Sequence, residues 1–518
     1  MKSYYKHLTS IEAPDKPIWQ TRKPVYRASA IFPVMENEIF SSKVVFMGYW
    51  ILKRDIKEIA LLYTLRNQHG EIVNRSSMTI DKPKAYSIKI SDLTKEKNFV
   101  GSIELEIFST QNLVFPYPGF VLSYYNKNFT TAVHTTGRIY NDIEDLKENN
   151  ETNVAESGFD IYPNSEIEPF FTFTNGPFEE KNTEIKYILI NHENKASTGS
   201  FRLETLRPYE TTFVFLKKFM DLKFLGDQPG VIKISHNFRG FFPRFVAGNF
   251  QNDFPVASIT HTYYDTSASC SNADYWRKID QNFHDSSVYI PLFINDDFYT
   301  DVVFYPIYSP SEFQIDLQFF DGSGNILKEI LNFTRINSKK TTLQKLNFKE
   351  IAEEINGAVG VNIIQNATEG NLYPARIKMG LNVGQTNKPV KIPCNICFNA
   401  QVGNPEVAKK TRSFKWAPLL NGGNSVIVIT NSAPMKNYYR SATVKLKFFR
   451  EKDDNQIEKT IEIQTFGQAR IEVDKSPDLI LFFENTTGWI VAESENPYIF
   501  LWYFDISKSG AIAGDHCF

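Results

Sequence analysis

Two histidines sit at comparable places in the chain: His134 in Val133-His134-Thr135, and His261 in His261-Thr262-Tyr263-Tyr264-Asp265. A neutral imidazole beside a carboxylate can accept a proton near pH 7 or ligate a metal. His134, His261 and Asp265 are therefore the candidate general bases of the sequence. A plainer role competes, that of a polar residue closing a strand and bonding a nearby loop. The comparable position further on is Asn395, which reproduces the hydrogen bonds of a histidine but not its proton chemistry.

Tyr263 and Tyr264, with Tyr275 and Trp276 just beyond, offer flat aromatic faces that suit sugar rings or protein partners. They are the candidate ligand-binding residues, against the alternative that each packs in a core. The chain ends Asp515-His516-Cys517-Phe518. Consecutive residues of an extended chain point in alternate directions, which counts against a site built from that trio alone, whereas a terminal Phe suggests a docked end.

Cys394 and Cys397 form a C-x-x-C in a strand-like context, where residues three apart face opposite ways, and no second pair completes a four-thiolate set. Cys270 and Cys517 have no evident partner. The acidic turns Asn295-Asp296-Asp297 and Asp453-Asp454 lack the spacing of a calcium loop. No nucleophile elbow, phosphate loop, dinucleotide fingerprint or zincin motif occurs. The expectation is no metal site and no cofactor.

The elements that carry these residues repeat. Strands with one apolar face contain Leu61, Tyr63, Leu65; Ile185, Tyr187, Leu189; Ile315, Leu317, Phe319; and Val444, Leu446, Phe448. Each runs into a polar turn, at Asn67 to Gly70, Asn191 to Asn194, Asp321 to Gly324 and Asp453 to Asn455. A further element recurs as Ser102 to Ile107, Val231 to Ile234, Val359 to Ile363 and Ala469 to Val473, followed by Phe115-Pro116, Phe242-Pro243, Tyr373-Pro374 and, without the proline, Leu481 to Phe483. The closing strand Pro255 to Asp265 aligns without gaps on Pro389 to Asn399, with Val133 to Thr135 and Tyr503 to Asp505 as the counterparts elsewhere.

The aromatic-proline landmarks fall on the order of 130 residues apart, the size of a seven- to nine-stranded sandwich. The fold expectation is all-β: four tandem immunoglobulin-like β-sandwich modules at 28–142, 165–265, 286–400 and 414–518, after an extended arm at 1–27 and separated by polar linkers. Two segments, 143–148 and 347–355, read as short helical turns.

With 518 residues, 42% hydrophobic and 14% aromatic, the chain is long enough for several cores and rich in strand formers. The net charge of −2 gives no basic field for nucleic acid. No apolar run reaches the length of a membrane span, and no signal peptide is visible, so either a cytoplasmic location or non-classical export to the surface is compatible with the sequence.

These features predict a non-enzymatic multi-module binding or structural protein, associated with surface polysaccharide or a cell-surface assembly, with a glycan or protein partner. Two alternatives stand beside it. One is a carbohydrate-active enzyme with its site at the junction of the first two modules; the other is a self-assembling layer or coat subunit, in which the chain would be a homo-oligomer.

Overall fold

A computed structural model of the chain describes residues 26–113, 118–134, 137–140, 156–264, 275–277, 281–306, 312–336, 343–368, 372–374 and 377–518. The candidates Asp265 and Cys270, the arm up to residue 25 and the expected turn at 143–148 lie outside them.

The chain is all-β, in antiparallel sheets. One pairing rule holds in four consecutive quarters, 26–140, 156–264, 281–402 and 413–518. With the eight main strands of a quarter counted in chain order, one sheet runs first–sixth–third–fourth and the other fifth–second–seventh–eighth. In the first quarter these are Tyr26–Glu36, Phe99–Ser109, Ile59–Asn67 and Ile72–Ile80, and then Ala85–Lys89, Ser41–Met47, Val121–Tyr125 and Val133–His134. Short strands add to this plan: Tyr263–Tyr264 and Gln401–Val402 each pair with the first strand of their quarter, and Tyr275–Arg277 pairs with Leu372–Pro374.

The third strands follow the expected period of two. Leu61, Leu65, Ile185, Leu189, Ile315, Leu317, Phe319, Val444, Leu446 and Phe448 are all buried. In the first three quarters each leads into a turn set by one side chain. Asn67 Oδ1 accepts from the backbone N–H groups of His69 and Glu71, Asn191 Oδ1 from those of Glu193 and Lys195, and Asp321 Oδ1 from those of Ser323 and Asn325. This is why Asn or Asp opens each of these turns. Gly70 and Gly324 take φ +85°, which a side chain would resist.

The fourth quarter departs from the alignment expected from sequence. Gln468–Glu472 is the fifth strand, pairing with Ser425–Asn431, and the sixth is Gly488–Ser494. Leu481 to Phe483 belong to the helix Pro477–Phe483 between the two. Alternation alone cannot distinguish one half-buried strand from another, and Pro477, at the helix N-terminus where its missing N–H costs nothing, was the available marker. Likewise Tyr503 to Asp505 lie in the seventh strand, Ile499–Ile506, while the eighth is Ile512–His516.

The cores are not closed off within the quarters. The largest apolar cluster joins Phe32, Phe46 and Trp50 of the first quarter to Phe170 and Val246 of the second, Val390 of the third, and Trp416, Ile427 and Trp489 of the fourth. A second joins Val302, Phe319 and Leu381 to Val428 and Trp502. Several strands are buried at every residue, including Val246–Gln251, Val256–His261 and Ser425–Asn431. One face of such a strand fills its own sandwich and the other packs on a neighbouring quarter, so alternation is lost.

The quarters close on themselves through equivalent contacts. Each third-to-fourth-strand turn meets the beginning of the next quarter's fifth strand. Thr211 N donates to Gln68 O (3.0 Å), Leu343 N to Asn194 Oδ1 (2.6 Å) and Gln468 N to Gly322 O (3.1 Å). The last turn returns to the first quarter: Ser87 Oγ donates to Glu451 Oε1 (2.6 Å), and Lys82 pairs with Asp454 (3.1 Å). The four eighth strands, Val133–His134, Val256–His261, Cys394–Asn399 and Ile512–His516, pack round a common centre.

Candidate functional site

That centre holds both candidate histidines. His134 ends the eighth strand of the first quarter and His261 that of the second, at 8% and 3% exposure. Their rings meet edge to face with centroids 4.5 Å apart. The strand ending in His516 brings two more groups. His134 Nδ1 lies 2.8 Å from Asp515 Oδ2, which also accepts from the His134 backbone N–H (3.1 Å), and the His134 and His516 ring centroids are 4.8 Å apart.

Hydrogen bonding fixes two of the tautomers. His261 Nδ1 lies 3.1 Å from Thr262 O and His516 Nδ1 2.9 Å from Cys517 O. A carbonyl only accepts, so Nδ1 carries the proton in both rings and Nε2 keeps its lone pair. Burial drives the His516 pKa down to about 4 and that of His261 well below the usual histidine range, with Arg244 adding to both shifts and Lys378 also lowering His261. Burial alone would raise Asp515; His134 and His516 outweigh it and hold the carboxyl below its ordinary value. The cluster is thus a carboxylate among imidazoles, two of which stay neutral at pH 7.

The eighth strand of the third quarter, Cys394–Asn399, contributes a hydrogen-bonding group. Asn395 Nδ2 donates to Asp160 Oδ2 (3.1 Å) and Asn382 Oδ1 (2.6 Å). Burial raises the Asp160 pKa to about 7.

The structure brings His134 and His261 together, as their comparable places in the sequence suggested, with Asp515 beside His134. The sequence offered Asp515 only within a linear trio of doubtful geometry. His516 does turn its ring to the cluster, while Cys517 Sγ faces Leu501 N (3.4 Å). The missed signal was the spacing of the fourth quarter: once Ile512–His516 is the eighth strand, Asp515 and His516 fall beside His134 and His261.

Tyr263 is 1% exposed and stacks on Tyr305 with ring centroids 4.4 Å apart, a core position that presents no free face to a ligand. Tyr264, Tyr275 and Trp276 lie in described strands. Cys394 and Cys397 are buried and free, in different apolar clusters, as opposite faces of one strand require. Among the described residues, cavities lie elsewhere, such as one of about 780 Å³ lined by Arg412, Arg440, Lys445 and Glu493, one of about 500 Å³ between Phe40, Phe213 and Phe250, and one of about 320 Å³ between Asn126 and Lys508. None is lined by His134 or His261. Among the described residues, no helix is long and apolar enough to cross a membrane.

No family model matches the chain, and no curated protein matches its sequence. Among solved structures, a tetra-tandem repeat in the extending region of a large adhesion protein is 10% identical over 89% of this chain and 90% of that one, with a TM-score of 0.09. A β-glucuronidase from glycoside hydrolase family 2 is 10% identical over 46% of this chain and 24% of that one, with a TM-score of 0.11. Scores this low bear on neither fold nor function.

Proposed function

We propose that the chain is four immunoglobulin-like sandwich modules, multiplied from one ancestor and closed into a ring, and that it acts as a non-enzymatic scaffold holding protein partners in a larger assembly. The observation that carries this reading is the recurrence of one contact, the third-to-fourth-strand turn on the next fifth strand, four times including the return from Glu451 to Ser87. A chain selected to close in this way gains a rigid body with similar outward faces. Those faces end in the fourth strands, each an open sheet edge, and two of these strands expose apolar side chains: Ile72 and Val73 in the first quarter, and Ile326 (59%), Leu327 and Leu331 (60%) in the third. Open edges and exposed apolar residues are what a partner chain binds.

The burial of His134 and His261 favours a scaffold over an enzyme, since a general base must reach its substrate. The test is to capture partners with the purified chain and with an Ile326→Glu, Leu331→Glu variant, alongside a glycan array and a panel of glycoside substrates. The scaffold reading expects protein capture weakened by the double substitution. Glycan binding without protein capture, or glycoside turnover that disappears in His261→Ala, would replace it.

A further inference from the structure

We propose that His134, His261, Asp515 and His516 form a site for one divalent transition-metal ion of the zinc class, clasping together the first, second and fourth quarters of the chain. The donor atoms of His134, Asp515 and His516 already lie within 4.8 Å of one another. His261 supplies a second, independent observation: its Nε2 is buried and has no hydrogen-bond partner, although a buried lone pair left unused is costly.

The surroundings have the form that metal-binding histidines take. A ligating imidazole commits its other ring nitrogen to a carbonyl or carboxylate, which sets the tautomer and aims the lone pair. Thr262 O does this for His261 and Cys517 O for His516. Two imidazoles bound at 2.0–2.1 Å with a tetrahedral angle place their ring centres about 5 Å apart; the observed separations are 4.5 and 4.8 Å.

The charges select among cations. Asp515 is the one carboxylate in the set, the other donors being imidazole nitrogens. Calcium or magnesium, which needs several oxygen donors, is disfavoured, whereas zinc, cobalt or nickel binds imidazole nitrogen strongly enough to hold. His134 and Asp515 alone lie 381 residues apart in the chain, so binding would also lock the ring. The inference does not depend on the scaffold reading, since it concerns four side chains at the centre and no partner.

The experiment is calorimetric titration of the full chain, cleared of metal by chelator and gel filtration, with zinc chloride, repeated with cobalt chloride while the visible spectrum is recorded. One equivalent should bind, with cobalt bands typical of nitrogen and oxygen ligands and no thiolate charge-transfer band. His516→Ala, at a half-buried position, and His261→Gln should each weaken binding at least tenfold, while His192→Ala on the surface leaves it unchanged. Far-UV circular dichroism and elution volume establish that each variant is folded, and Asp515→Asn replaces either that is not. Absence of saturable binding, or binding that survives both histidine substitutions, overturns the proposal.

Discussion

Nδ1 of His134 and Oδ2 of Asp515 meet at 2.8 Å across 381 residues of chain. Such a pair exists only if the first and last quarters are neighbours, and it does not stand alone. Tyr49 stacks on Trp416 at 4.4 Å, Lys43 Nζ donates to Leu420 O at 2.9 Å, and Ser509 Oγ donates to Asn128 O at 2.9 Å. Stacking, hydrogen bonds and strand ends together thus join the last quarter to the first.

That joint is open to a direct test at Trp416. The indole is buried between Tyr49 and Phe518, with Lys53 Nζ 4.4 Å over its face. Large-to-small replacement of such a residue costs about 3–5 kcal/mol. Trp416→Ala should lower stability by that amount in equilibrium denaturation; a loss below about 1 kcal/mol would mean that the stacked joint contributes little.

Gly324 carries the equivalent joint between the third and fourth quarters. Its φ is +85°, and a Cβ there would meet Thr465 O and the Gly467 nitrogen far inside contact distance. Gly324→Ala should therefore cost on the order of 1–3 kcal/mol and speed amide exchange at Gln468, whose N–H donates to Gly322 O. Unchanged exchange at Gln468 would show that the turn is not seated on that strand.

His236 gives a pH signature separate from the central cluster. It is buried against Phe238 and Phe245 with no partner at either ring nitrogen, and burial lowers its pKa from 6.5 to about 4. With the folded pKa below the unfolded one, the unfolded chain takes up the proton first. Stability is thus unaffected above pH 6.5 and falls as pH drops towards 4, by about 3 kcal/mol at 1.36 kcal/mol per unit. His236→Phe should remove that part of the acid loss. Parallel acid profiles for the variant and the parent protein would contradict the assignment.

Much of this architecture is legible in the sequence. The third strands and their Asn or Asp turns appear there because period-two burial and side-chain capped turns are local. His134 and His261 were legible as a pair for the same reason, each closing a strand in a comparable context. What escapes is non-local. Ring closure rests on strands such as Val256–His261 that are buried on both faces, and an apolar strand without alternation does not say what covers its second face. The part of Asp515 and His516 was hidden by a one-strand slip in the fourth quarter, where Tyr503 to Asp505 imitate a closing strand. Tyr263 read as an exposed aromatic because nothing local announces the stacking of Tyr305 upon it.

Closure of the ring is the claim on which the rest stands, and small-angle X-ray scattering of the dilute chain measures it most directly. A compact body of 518 residues has a radius of gyration of about 24 Å. The account predicts a value near that, with a single-peaked distance distribution. Four sandwiches strung end to end as a rod would give roughly twice the value and a long-tailed distribution, and that result would contradict the account.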